Sequence, residues 1–520
     1  MKKLMSVLLA AVMLLAMAGI ATADEATASI SFGNMQPNES VTAYQVIQYT
    51  YNAKTEQYET ADWVPAVKTW IKGTYNQEIP VDKVADTLNT LNVSQTAFYE
   101  GMRKNVSLTA ETNLSALRAG SYICLISGGT TVHQLQLVSL SPKQNDDGTW
   151  ALEVQGEKGG TLSATDKSSR PQLDKVMQVE GKRPEQNHDT VAIGDKVTFD
   201  IYASVPTYPA DADNTTYTIT DTMAKGLTNN RDVNVTLMDG TTLSASTDYK
   251  ITYHTGDQGF TIDFNYDSIK SQAIRNVSDW NTNAQGEYQG RVDTVANANA
   301  ITKGVHIQYT ATINEDVEIQ SDSNTNEARL VYADNPYGDS TSGIRDEVKV
   351  YTYGLKINKV DGKNPTKYLA GAKFTINKKG SADNLWFVED KANLGKYTVA
   401  KAGTTDAVQE IVTPDSGKIE IKGLDVGTYE LKETEAPQNY NKLTKPEEFT
   451  ITKDSNTNKN ITEGSASAYN DQTIKNYSGI RIPSTGGMGT TVFMVVGIAV
   501  MACAVVALMI VLKRQKRGEA

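Results

Sequence analysis

The sequence predicts a mainly β protein: tandem immunoglobulin-like β-sandwich domains, the first with some helix, framed by a signal peptide and a C-terminal transmembrane helix. Three observations lead there. The chain is rich in Thr, Asn, Asp, Tyr and Gly and poor in Leu, a usage that favours strands and turns over helix bundles. Short alternating segments separated by turn residues recur through its central part. Apolar runs stand at both ends, one short and one long enough to span a membrane.

The N-terminal run, Leu4 to Ile20, follows the positive start Met1-Lys2-Lys3 and leads to Ala21-Thr22-Ala23 before Asp24 and Glu25. This is the order of a signal peptide over residues 1–23, cut after Ala23. The C-terminal run, Val492 to Leu512, is free of charge and about 30 Å long as a helix. It predicts a membrane helix over 490–512. Lys513, Arg514, Lys516 and Arg517 in the tail 513–520 place that tail in the cytoplasm and the bulk of the chain outside.

The exposed part is then roughly 450 residues, two to four domains by ordinary size. Three blocks are expected. An N-terminal domain, 24–165, opens with a strand over Val41–Tyr51. It continues with a helix carrying Trp63, Val67, Trp70 and Ile71, and with a second helix near Val81–Leu91. It returns to strands at Ser121–Ile126 and His133–Leu140, and a polar linker runs from Gly159 to Pro171. A middle β-sandwich, 171–352, has strands at Lys196–Tyr202, Thr216–Thr220 and Phe260–Phe264. A third, smaller unit, 353–477, has strands at Gly354–Val360, Ala372–Ile376, Lys418–Ile421, Thr428–Leu431 and Glu448–Ile451.

A formal charge of −11 leaves no basic face for phosphates, so nucleic acid is excluded as a partner. Of the 2 cysteines, Cys503 lies in the apolar run, so Cys124 is the one thiol of the exposed part and no disulfide can form within it. Cys124 shares a strand with Tyr122 and Ile126 and reads as buried and inert. His133, His188, His254 and His306 have no ligand spacing. No metal, cofactor or turnover enzyme is expected.

The third block carries the most specific pattern. Leu355, Ile357 and Lys359 share one strand face, as do Tyr429, Leu431 and Glu433, so a lysine and a glutamate point into one core. In a dry core the pKa of a lysine falls and that of a glutamate rises. A neutral amine is a nucleophile, and a protonated carboxyl can polarise an amide and move protons. If Asn476, from Ile474-Lys475-Asn476, lies alongside, Lys359 can attack its side-chain amide, expel ammonia and form a Lys–Asn isopeptide bond. A buried salt bridge is the plainer alternative.

The run from Tyr429-Glu430-Leu431 through Glu433-Thr434 to Ala436-Pro437 resembles the signature of collagen-adhesin B-type domains of Gram-positive surface proteins. That resemblance implies a bond between Lys359 and Asn476, with Glu433 as catalytic acid. The second block resembles the middle domain of sortase-assembled shaft pilins on three segments: Pro171–Val176, Tyr217–Thr222 and Asn326–Tyr332. Carried over by residue, the resemblance gives Lys175 as nucleophile, Asn326 as amide and Asp221 as acid. Tyr217, Ile219 and Asp221 share a face, which suits an inward carboxyl, although Asp221 could also just begin a turn.

Ile482-Pro483-Ser484-Thr485-Gly486, then the apolar span and the basic tail, follow the order of a sortase substrate cleaved between Thr485 and Gly486. Pro483 holds an extended bend, and Gly486 leaves room at the Thr485 carbonyl for a cysteine nucleophile. Trp150–Val154 matches the start of the pilin acceptor pattern, which makes Lys158 the expected acceptor lysine, with Lys143 as second choice. The whole resembles a major backbone pilin. Its implied partners are sortase, neighbouring copies of the chain, peptidoglycan and a host surface ligand, and its implied place is the cell wall or fimbrium, reached through a membrane-anchored precursor. A monomeric wall-anchored adhesin is the alternative.

Overall fold

Alternating apolar residues become strands along most of the chain, and the strands gather into three separate sheet systems. The computed structural model describes residues 25–155, 162–163, 168–182, 187–274, 301–319, 321–452, 469–479 and 488–515. The signal peptide, Lys158 and the 482–486 motif lie outside the described residues. Packing divides the chain into two compact units that meet in sequence between Thr352 and Tyr353.

The first sheet contains β1 (Ser40–Gln48), β2 (Gly120–Ser127), β3 (Gln136–Gln144) and β4 (Trp150–Gln155), hydrogen-bonded in the order β4-β3-β2-β1. Both faces of this sheet are covered. Ile47 and Ile123 face a cluster with Val67 and Ile71 of α1 (Pro65–Tyr75), Leu88 of α2 (Val84–Thr90), and Phe98 and Met102 of α3 (Gln95–Asn105). Ala43, Tyr122, Cys124, Val138 and Leu140 pack on the other side.

Three details depart from the expectation. Trp63 is not on the first helix; it sits in a short strand, Asp62–Trp63, paired with β1. Pro65 explains the shift, because it suits the first helical turn and pushes the residue before it out of helical geometry. The helix α3 was not read from the sequence. Ser94 caps it, its hydroxyl accepting from the Ala97 amide at 3.0 Å. The expected linker is in part built into the fold: Ser168–Ser169 pair with Val132–His133, and Ser168, Ser169 and Arg170 are buried. The Ser169 hydroxyl is satisfied locally, accepting from the Thr207 amide at 2.8 Å.

The middle block has two sheets. One runs β5 (Leu173–Val179), β6 (Lys196–Ala203), β9 (Val305–Ile313) and on to Leu227–Asn229. The other holds β7 (Tyr217–Met223), β8 (Gly259–Phe264), β10 (Thr325–Ala333) and β11 (Thr341–Tyr351) in the order β11-β10-β7-β8. Val197, Phe199 and Ile201 of one sheet and Tyr217, Ile219 and Leu330 of the other share one apolar core.

The second unit repeats this on a smaller scale. One sheet has β12 (Tyr353–Asp361) between β14 (Lys418–Leu424) and β17 (Tyr469–Asn476); the other runs β13 (Lys373–Lys378), β15 (Gly427–Glu435), β16 (Glu447–Ile451). The first and last strands, β12 and β17, lie side by side and parallel. A final helix, α4 (Met488–Gln515), contains the stretch Met494–Val511, which has a mean hydropathy of 2.9 and is not buried by any other described residue.

Candidate functional site

In the second unit, strand parity turns Lys359 inward beside Leu355 and Ile357, and Glu433 inward beside Tyr429 and Leu431; all six are buried. Lys359 comes from one sheet and Glu433 from the other, and the amine meets the carboxyl across the core at 3.0 Å from Oε1. Parallel pairing of β12 with β17 sets Asn476 opposite Asp361, at the same end of the sheet as Lys359. The Asn476 amide nitrogen donates to Glu433 Oε2 at 2.9 Å and to the Asn441 carbonyl at 2.6 Å, while the Leu443 amide donates to the same Oε2 at 2.7 Å. The Glu433 carboxyl thus touches both nitrogens that a Lys–Asn condensation involves, one with each oxygen.

Burial lowers the pKa of Lys359, against the opposing pull of the Glu433 charge. Phe374 stands 5.3 Å from the amine and keeps that side dry. Among the described residues, the amine makes no well-aligned hydrogen bond and the Asn476 side-chain carbonyl oxygen accepts none. These are the free groups that nucleophilic attack and carbonyl polarisation require.

The middle block gathers a second set. Lys175 on β5, Asp221 on β7 and Asn326 on β10 are all fully buried or nearly so. Asp221 lies in the middle of β7, paired on both sides, so it does not begin a turn. Lys175 Nζ is hydrogen-bonded to Asp221 Oδ2. Burial pushes the lysine pKa down and the aspartate pKa up, each opposed by the other's charge. The neutral amine and neutral acid are therefore brought within reach together.

Two groups here were missed by sequence reasoning. The Tyr309 hydroxyl, on β9, accepts from Lys175 Nζ at 2.6 Å and from the Asn326 amide nitrogen at 2.8 Å, and donates to Asp221 Oδ2 at 2.5 Å. Asp346, inward on β11 with Ile344 and Val348, accepts the Lys175 backbone amide at 2.7 Å; burial raises its pKa to about 6. A signal for Tyr309 existed. It alternates with Val305, Ile307, Ala311 and Ile313 on one buried face, and a buried tyrosine needs a partner for its hydroxyl.

Lys143 is exposed on β3, 3.8 Å from Glu153 on β4. Cys124 is buried, and burial pushes its thiol up to about 12.

Residues 354–465 match the family model described as the SpaA prealbumin-like fold domain. The trypsin-resistant surface T6 protein of Streptococcus pyogenes serotype M6 is 24% identical over 477 residues, covering 85% of this chain and 76% of that protein. Among solved structures, the T6 backbone pilin of the same serotype, a modular three-domain structure decorated with variable loops and extensions, aligns with a TM-score of 0.54 at 19% identity. That alignment covers 82% of this chain and 80% of the pilin. The chain is thus a homologue of the T6 surface protein that carries a SpaA prealbumin-like domain and has the fold of a Gram-positive backbone pilin.

Proposed function

We propose that this chain is a structural subunit of a covalently polymerised surface fimbria and is stabilised internally by two Lys–Asn isopeptide bonds. The observation that carries this reading is the pair of buried lysine–carboxyl–asparagine sets, Lys359–Glu433–Asn476 and Lys175–Asp221–Asn326. In each, the neutral amine attacks the asparagine side-chain carbonyl carbon. The carboxyl polarises the carbonyl, a proton passes from the lysine nitrogen to the amide nitrogen, and ammonia leaves. Each chain reacts once with itself, so the product is a crosslink and not a turnover activity.

Between subunits, sortase cuts after Thr485 and passes the threonine acyl group to a lysine of the next copy, Lys158 first and Lys143 second. The helix α4 holds the precursor in the membrane until that cut, and the last copy joins peptidoglycan. Lys143 has the exposure an acceptor needs. Cell-wall extracts should show a ladder of SDS-resistant species that is lost on Thr485→Ala and on replacement of the acceptor lysine. A single wall-bound band would return the monomeric adhesin instead.

A further inference from the structure

The two sets solve one problem differently. Proton transfer has to connect the lysine nitrogen with the asparagine nitrogen, and a bridging group must reach both. Glu433 does so alone, with Lys359 at 3.0 Å from one oxygen and Asn476 at 2.9 Å from the other. Asp221 is one methylene shorter. It is hydrogen-bonded to Lys175, but among the described residues the Asn326 side chain bonds to the Tyr309 hydroxyl alone, and Asp221 Oδ1 and Asn326 Oδ1 have no partner there. Among the described residues, the Tyr309 oxygen is the one atom in hydrogen-bond contact with nucleophile, acid and amide at once.

We propose that Tyr309 is a further catalytic residue of the middle block, whose hydroxyl relays the proton from the attacking Lys175 amine to the departing Asn326 nitrogen. The inference rests on the isopeptide reading above. As Lys175 Nζ bonds to Asn326 Cγ, the amine gives a proton to the tyrosine oxygen and the tyrosine gives its own to Nδ2. The Cγ–Nδ2 bond breaks, ammonia leaves, and the tyrosine ends as it began. Before attack the hydroxyl proton points at Asp221; once attack makes the amide carbon tetrahedral and frees the Nδ2 lone pair, the hydroxyl turns to that nitrogen, and Asp221 stabilises the charge that develops on the tyrosine oxygen. The ring also stacks on Phe199 with centroids 5.4 Å apart, which fixes the oxygen between the two nitrogens. Aspartate plus tyrosine here occupies the place of one glutamate in the second unit.

The test uses the full chain, solubilised unfolded from inclusion bodies, refolded, and digested for branched peptides over time. Tyr309→Phe keeps the ring and its packing. Its Lys175–Asn326 branched peptide should accumulate on the order of 10²-fold more slowly than in the parent chain. The Lys359–Asn476 peptide, which has no tyrosine in its set, should form at the parent rate and reports that the second unit has refolded, while resistance of the middle block to trypsin reports the same for the first. Equal rates at Lys175–Asn326 in the two chains would overturn the relay while leaving the crosslink standing. Absence of the Lys175–Asn326 peptide from the parent chain would overturn the crosslink and the relay together. Should Tyr309→Phe not refold, 3,5-difluorotyrosine at position 309 keeps the shape with a more acidic hydroxyl. The relay then predicts a Lys175–Asn326 rate several-fold different from the parent's with the Lys359–Asn476 rate unchanged, and equal rates at both bonds refute it.

Discussion

Replacing Glu433 by Gln changes one oxygen for a nitrogen and little else in volume. The Leu443 amide still finds an acceptor, and Lys359 keeps a polar neighbour. What is lost is a carboxyl that can be protonated and pass protons, so Lys359 and Asn476 should remain unjoined. The crosslink would close a loop of roughly 120 residues, close to the 100-residue loop for which chain entropy gives about 4.7 kcal/mol. In a domain of this size about 1 kcal/mol moves the melting temperature by roughly 3–5 °C, so the second unit should melt roughly 15–20 °C lower. Measured against the mass of its own sequence, the variant should lack one fewer ammonia than the parent lacks, with calorimetry recording the shift in the same sample. A variant with the parent's ammonia deficit would refute the assignment of Glu433. A heavier variant that melts within a few degrees of the parent would refute the crosslink as the source of stability.

Lys175→Ala and Asp221→Asn should each restore one ammonia to the intact mass and leave the Lys359–Asn476 branched peptide unaffected, as peptide mapping would show. Asp346 binds its proton more tightly folded than unfolded, so it withdraws stability as pH rises from about 4 to about 6. The pKa difference amounts to about 3 kcal/mol. Asp346→Asn should flatten that part of the profile, read as urea midpoints at pH 4, 5, 6 and 7, and a variant profile parallel to the parent's would exclude Asp346 as the cause. Cys124, with its thiol raised to about 12, should resist iodoacetamide at pH 8 in the folded protein and react once urea is added, as peptide mapping that separates it from Cys503 would show; rapid labelling of Cys124 itself in the folded protein would contradict its burial.

Residues whose role depends on their own strand were legible in the sequence. Parity alone aimed Lys359 and Glu433 inward, because each sits among apolar neighbours two residues apart. Asn476 was less so, since its place follows from a parallel pairing with a strand more than a hundred residues earlier, which no local pattern records. Tyr309 was hidden for a related reason: an aromatic on an apolar face reads as core, and only the approach of two other strands reveals what its hydroxyl touches. Ser168 and Ser169 show the opposite error, because polar residues read as solvated linker even where the fold buries them and supplies hydrogen bonds. The α3 helix escaped because its face is thin, with Phe98 and Met102 separated by polar residues and Gly101.

The side-by-side, parallel placement of β12 and β17 has a mechanical consequence. Tension along the chain enters the second unit at the start of β12 and leaves at the end of β17. Two parallel neighbours pulled from opposite ends slide past one another, so without a Lys359–Asn476 bond the whole ladder between Gly354 and Asn476 would bear the load at once, and with it the load would pass through that bond. The remaining strands of the unit hang outside that line of force. Changes of length or sequence in the loops that join them therefore leave that line of force intact.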